Sequence, residues 1–172
     1  MAKFYAGIGS RTTPPHMLES MAVLADLLGS LGWTLRSGAA PGADSAFERG
    51  AGDYPKEIYL PWKGFGGSQS RLFPPTDKAY TLARAVHPRW GAMRQAGQAL
   101  QARNSHQVYG RKLDSPVAFV LAWTPDGAET ATTRQTGGTG QAIRLALRSG
   151  IPVYNMRNLG ALERLYSEVL GL

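Results

Sequence analysis

The chain has 172 residues, no cysteine and a formal net charge of +7, with a pI near 10.0. That length can bury a core without covalent help, and the absence of Cys excludes disulfides, Cys-ligated zinc and thiol chemistry. The longest apolar run, Val117 to Trp123, is too short to cross a bilayer, and Lys3-Phe4-Tyr5 enters a strand pattern with no charged-then-apolar leader, so a cytoplasmic protein without membrane contact is expected.

Lys3 to Gly9 reads as a strand running into a Gly-rich turn, Gly7-Ile8-Gly9-Ser10-Arg11. Thr13 is the expected N-cap of the next helix, with Pro14 at its first position. Met17, Met21, Leu24, Leu28 and Leu31 recur at helical spacing as a core stripe, and Gly32 ends it. Trp33-Thr34-Leu35 opens a second strand that feeds Arg36-Ser37-Gly38-Ala39-Ala40-Pro41-Gly42-Ala43-Asp44, where side chains nearly vanish before a helix carrying Ala46, Phe47 and Glu48. Two readings fit this stretch. Either the helix N-terminus and bare backbone cradle an anion, or the small residues only let the helix pack closely on a sheet.

Lys56 to Leu60 is a third strand, closed by Pro61. From Trp62 to Pro75 the chain is irregular and mixes Trp62, Phe65 and Phe73 with Lys63 and Arg71, a composition that suits either base stacking or a packed surface loop. Helices are expected over 76–86 and 88–104. The nine basic residues between Lys63 and Lys112 face one acid, Asp77, so this third of the chain holds the charge excess and favours an anionic partner. Pro116 to Trp123 has the continuous apolarity of a central strand covered on both faces. A polar loop leads to Gly137-Gly138-Thr139-Gly140 and a helix ending at Gly150, followed by a last strand over Ile151 to Asn155. Leu159, Leu162, Tyr166 and Val169 predict a closing amphipathic helix.

Strands alternating with helices predict one α/β domain over 1–172 with a mainly parallel sheet and right-handed crossovers, and the order expected for it is 3-2-1-4-5. In that order strands one and four are neighbours where the winding reverses, and the three Gly-rich turns, which follow strands one, two and four, converge on one crevice. The turn after the first strand lacks the third glycine of the dinucleotide fingerprint, and no Gly-Lys-Ser/Thr completes a phosphate-binding loop. His16, His87 and His106 are far apart, and no Gly-x-Ser-x-Gly elbow exists. Neither a metal nor an organic cofactor is expected.

Taken together, Tyr5 to Arg11, Ser37 to Asp44 with Phe47-Glu48, Arg103-Asn104, and Thr136 to Ala142 resemble the Rossmann-like domain of the DNA-processing protein A (Smf) family. The resemblance spans nearly the whole chain and is strongest to a compact, phage- and prophage-associated branch of the SLOG superfamily, which also holds the Lonely Guy nucleotide phosphoribohydrolases. It implies a three-layer fold, a homo-oligomer, and a partner that is a nucleotide-derived small molecule or single-stranded DNA. The residues it places at the ligand are Gly7, Gly9, Ser10 and Arg11; Ser37, Gly38, Ala39, Gly42 and Asp44; Arg103 and Asn104; and Gly137, Gly138, Thr139, Gly140 and Gln141. Arg11 would meet a phosphate, with the Ser10 and Ser37 hydroxyls and the amides from Gly138 to Gln141 completing the cradle. Asp44 could instead tie its loop by accepting backbone N–H bonds. The domains that flank this fold in full-length relatives are not matched in this chain, so recombinase loading does not carry over.

Where the phosphoribohydrolases carry a catalytic glutamate after the glycine turn, this chain has Arg144, and a cation cannot stabilise an oxocarbenium-like transition state. A binding protein is therefore expected over an enzyme, with Asp44 and Glu48 the catalytic candidates if turnover occurs. A sponge or sensor for a nucleotide signal would use the same pocket. Val at Gly38 or at Gly138 is expected to block the ligand and leave the fold intact.

Overall fold

The computed structural model describes residues 2–172. A five-stranded sheet of order β3-β2-β1-β4-β5 forms the centre, from β1 (Lys3–Gly9), β2 (Trp33–Ser37), β3 (Lys56–Ile58), β4 (Phe119–Trp123) and β5 (Val153–Asn155). Every pairing is parallel, and β1 lies between β2 and β4, the expected order.

Successive side chains of a strand face opposite sides, which divides the core in two. Tyr5, Leu35, Phe119 and Leu121 face a cluster with α1 (Pro15–Ser30) and α2 (Ala43–Ala51), where the Tyr5 and Phe119 rings stack at 5.6 Å. Ala6, Ile8, Val120 and Ala122 face the other cluster, which α5 (Gly140–Arg148) completes with Ala142, Ile143 and Ala146. Two more helices, α3 (Asp77–Val86) and α4 (Gln95–Tyr109), pack on each other, and Val108 carries α4 onto this second face. The chain closes with α6 (Ala161–Leu165) and a π turn over Tyr166–Leu170.

Several local expectations are corrected. Pro14, not Thr13, is the N-cap of α1, because the Thr13 hydroxyl donates to Ser10 O at 2.6 Å and is not available to the helix amides. The expected helix from Pro88 begins at Gln95; Pro88 and Gly91 leave only a 3-10 turn over Trp90–Ala92, with Met93 extended, while α4 continues past Asn104 to Tyr109. Leu159 stands fully exposed before α6 and outside the amphipathic stripe.

The segment after β3 is a packed loop. Leu60 N donates to Leu72 O at 3.0 Å, Ser70 Oγ donates to Ile58 O, and Phe65 and Phe73 rest on the first core cluster, leaving Trp62 40% exposed at its rim. Arg36 is buried and structural: its Nε donates to Glu57 at 2.7 Å, its Nη2 to Ser115 Oγ at 2.9 Å, and its guanidinium lies 3.8 Å from the Phe4 ring centroid.

Candidate nucleotide-binding crevice

A cavity of about 340 Å³ opens where β1 and β4 end, in the size range of small-molecule sites. Four parts of the chain line it: the end of β1 with Gly9, Ser10 and Arg11; Ala40 and Asp44 after β2; one face of α4; and the glycine loop before α5. Strand order alone brings the first, second and fourth together; α4 arrives across the top through its packing on α3 and α5.

Its two loop walls are built differently. After β2, Ala39 is buried with a φ of 58° and Gly42 has a φ of 89°, so the chain turns sharply before α2 and brings Asp44 into the cavity wall. Asp44 Oδ2 accepts the Ala40 N–H at 3.3 Å. Burial pushes the Asp44 carboxyl up to about 6, against the opposing pull of the Arg103 guanidinium and the Ala40 N–H. The loop after β4 hangs instead on Asp126. That carboxylate accepts from the Thr124 hydroxyl at 2.8 Å, from Thr133 at 2.7 Å and from Thr136 at 2.5 Å. Burial works against its charge, but the three hydroxyls and the Ala128 N–H outweigh it and hold the carboxyl at about 2. The 3-10 turn Arg134–Thr139 is thereby braced, and Gly137 (φ 68°) and Gly138 are left exposed at the mouth.

Helix α4 ties the two walls together. Arg103, 6% exposed, donates through Nη1 to Gly38 O and to Tyr59 O and through Nε to Asn104 Oδ1 at 3.1 Å. Asn104 Nδ2 in turn donates to Gly138 O at 3.3 Å. Among the described residues Arg103 Nη2 has no hydrogen-bond partner, and Arg103 lines the cavity, so this buried cation still has donors to offer. Burial lowers the Arg103 guanidinium and Asp44 counteracts it. Arg11 is exposed at the rim.

Of the residues the sequence placed at a ligand, Gly9, Ser10, Arg11, Asp44, Arg103 and Asn104 line the cavity, as do Gly137, Gly138 and Thr139. Others lie beneath or beside it. Gly7 accommodates Phe47, whose Cγ would stand 2.6 Å from a Cβ there. The Ser37 hydroxyl, expected at a phosphate, is fully buried and donates to Gly7 O at 2.6 Å. The Ser10 hydroxyl pairs with Thr12 Oγ1 at 2.8 Å. Gly38, Ala39 and Gly42 shape the turn behind Asp44, and Gly38 has no room for a side chain because Arg103 and Gln107 occupy that space; Val at Gly38 is therefore a packing change, while Gly138 has only Gln101 Nε2 within reach at 3.8 Å. Gly140 starts α5 against Thr136, and the Gln141 side chain turns away to donate to Ala83 O at 2.9 Å. Glu48 lies one turn beyond Asp44 and does not line the cavity. Arg144 does not line it either: it donates to Thr132 Oγ1 at 3.1 Å and Gln141 Oε1 at 2.9 Å.

Leu100, Gln101 and Gln107 of α4, and Gln135, are lining residues that sequence reading missed. The signal available for Gln107 was the unbroken polar run Arg103 to Gln107, which leaves no apolar stripe in that part of the helix; the structure buries all five residues. Among the described residues no three His, Asp or Glu side chains converge as a metal-ligand set, and no helix is long and apolar enough to cross a membrane.

No protein-family model and no curated protein matches the chain in sequence. Among solved structures, it is similar to DNA processing protein A from Helicobacter pylori, described for its single-stranded DNA binding mode. The match has 16% identity and a TM-score of 0.56 and covers 96% of this chain and 72% of that one. At that identity the likeness is one of fold.

Proposed function

We propose that this domain binds single-stranded DNA or a nucleotide in the crevice between β1 and β4, as a relative of DNA-processing protein A within the SLOG superfamily. The observation that carries the reading is the convergence of the Arg11 turn, the braced Gly137-Gly138 loop and the buried Arg103 cation on one cavity at the reversal of strand order. A fold shared with a protein described as binding single-stranded DNA agrees with it. The basic segment from Lys63 to Lys112, which includes α3 and α4, supplies positive charge to a polyanion.

The test is titration of labelled single-stranded oligonucleotides and of nucleotides by fluorescence anisotropy or calorimetry. Gly138→Val, which has space for its side chain, should leave the melting temperature unchanged and weaken binding about tenfold or more. Unchanged affinity would remove the crevice from the site. A steep loss of affinity with salt, reduced in Arg84→Glu or Arg94→Glu, marks a strand; a salt-insensitive mononucleotide marks a sponge or sensor.

A second reading, cleavage of an N-glycosidic bond, is favoured by one observation: Asp44 lines the crevice with a carboxyl near 6, poised to exchange a proton. Release of free base from nucleoside monophosphates, abolished in Asp44→Asn, would establish it over binding alone.

A further inference from the structure

A phosphodiester backbone offers a protein only acceptors, so a site built for phosphate alone is lined by donors. This crevice is not. Gln101 Oε1, in the wall facing Gly138, is a buried acceptor without a hydrogen-bond partner among the described residues. Gln107 is 2% exposed and lines the cavity, and among the described residues its carboxamide makes no hydrogen bond to protein. Beside it lie the Asp44 carboxyl and the unpartnered Nη2 of Arg103. A buried polar group left unpaired costs about 1–3 kcal/mol, and the orphaned acceptor of Gln101, with the Gln107 carboxamide free in the wall of the same cavity, points to a ligand that engages both.

The arrangement has a direction. Gln101, Asn104 and Gln107 are spaced by three residues, so about 9 Å of helix axis separates the first from the last. Gln101 stands beside Gly138 and Gln107 at the other end, against Gly38, so the two carboxamides bracket a space of the length of a base. Ile8, Leu100 and Ala142 add apolar surface suited to the face of a ring.

Resting on the reading that the crevice binds a nucleotide unit, we propose that it also takes in the nucleobase, with Gln107 and Gln101 hydrogen-bonding the N–H and carbonyl groups of the base edge, so that binding is base-selective. A carboxamide presents a donor and an acceptor side by side, which matches a base edge and has no counterpart on a phosphate. Deoxyribose within a strand has no free hydroxyl, so in DNA the base is the donor available to Gln101 Oε1.

The experiment is calorimetric titration of the wild-type protein with the four deoxytrinucleotides of a single base, their ribo counterparts and an abasic trinucleotide. The expected result is a spread of about tenfold or more among bases and an abasic ligand weaker than the best base by a similar factor. Gln107→Leu leaves no protein partner unpaired, so it should fold normally, reduce the spread to about threefold or less and leave the abasic affinity unchanged. Equal affinity for abasic and base-bearing ligands would overturn the proposal, as would a spread that survives intact in both Gln107→Leu and Gln101→Leu. A gain for every ribo ligand regardless of base would assign the donors to a sugar hydroxyl and overturn the base assignment. Failure of the wild type to bind any of these ligands, or longer strands, would instead reject the nucleotide-binding reading itself.

Discussion

The loops after β2 and β4 have similar compositions of small residues and opposite uses. Ser37 to Ala39 is buried, its Gly38 carbonyl held by Arg103 and its Ser37 hydroxyl by Gly7, so the smallness of this stretch serves close packing under the crevice. Gly137 and Gly138 are exposed, with open space around them, and their position comes from the threonines gathered by Asp126. Glycine content thus marks two different things in one protein, and what surrounds the missing Cβ separates them.

The sharpest way to break this contrast is Gly38→Val. Its side chain would enter the space of the Arg103 guanidinium and Gln107, displacing a buried cation from its carbonyl partners, and a loss of about 3 kcal/mol or more in denaturant unfolding is expected. Stability equal to that of Gly138→Val would mean that the two loops do not differ in kind.

Asp126→Ala probes the exposed loop from behind. Removing the carboxylate leaves the Thr124, Thr133 and Thr136 hydroxyls without their shared acceptor, so a loss of about 2 kcal/mol and faster amide exchange over 133–139 are expected. Nucleotide affinity should fall although Asp126 does not line the cavity. Exchange unchanged in that segment would show that the glycine loop holds its shape without the brace.

The smallest effect is at Asp44, where the buried loop meets the crevice. Its folded carboxyl, at about 6, lies above the ordinary 3.8, so its contribution to stability is full below about pH 4 and is lost as pH rises through 6. Asp44→Asn should remove that slope and gain about 1–2 kcal/mol at pH 8 relative to wild type, read from unfolding at pH 4, 6 and 8. It should also lessen any loss of anion affinity over the same range. Parallel pH profiles for the two proteins would show that Asp44 is solvated like a surface carboxylate.

The sequence by itself determined the architecture: five strands, their order and the meeting of three turns at the reversal between β1 and β4. The strands follow from apolar periodicity, a local property of the chain, and the right-handedness of parallel crossovers narrows the orders they can take. It also marked Arg103-Asn104, although the two side chains bracket the loops as well as line the cavity. Only the tertiary structure decided which polar groups are already engaged. Ser37 finds Gly7 across 30 residues, Gln141 finds Ala83 across 58 and Arg103 finds Gly38 across 65, while among the described residues Gln101 Oε1 and the Gln107 carboxamide find no partner. A hydroxyl or carboxamide carries no sign in the sequence of whether a distant carbonyl will satisfy it, because that depends on how layers formed from remote segments come to rest against one another.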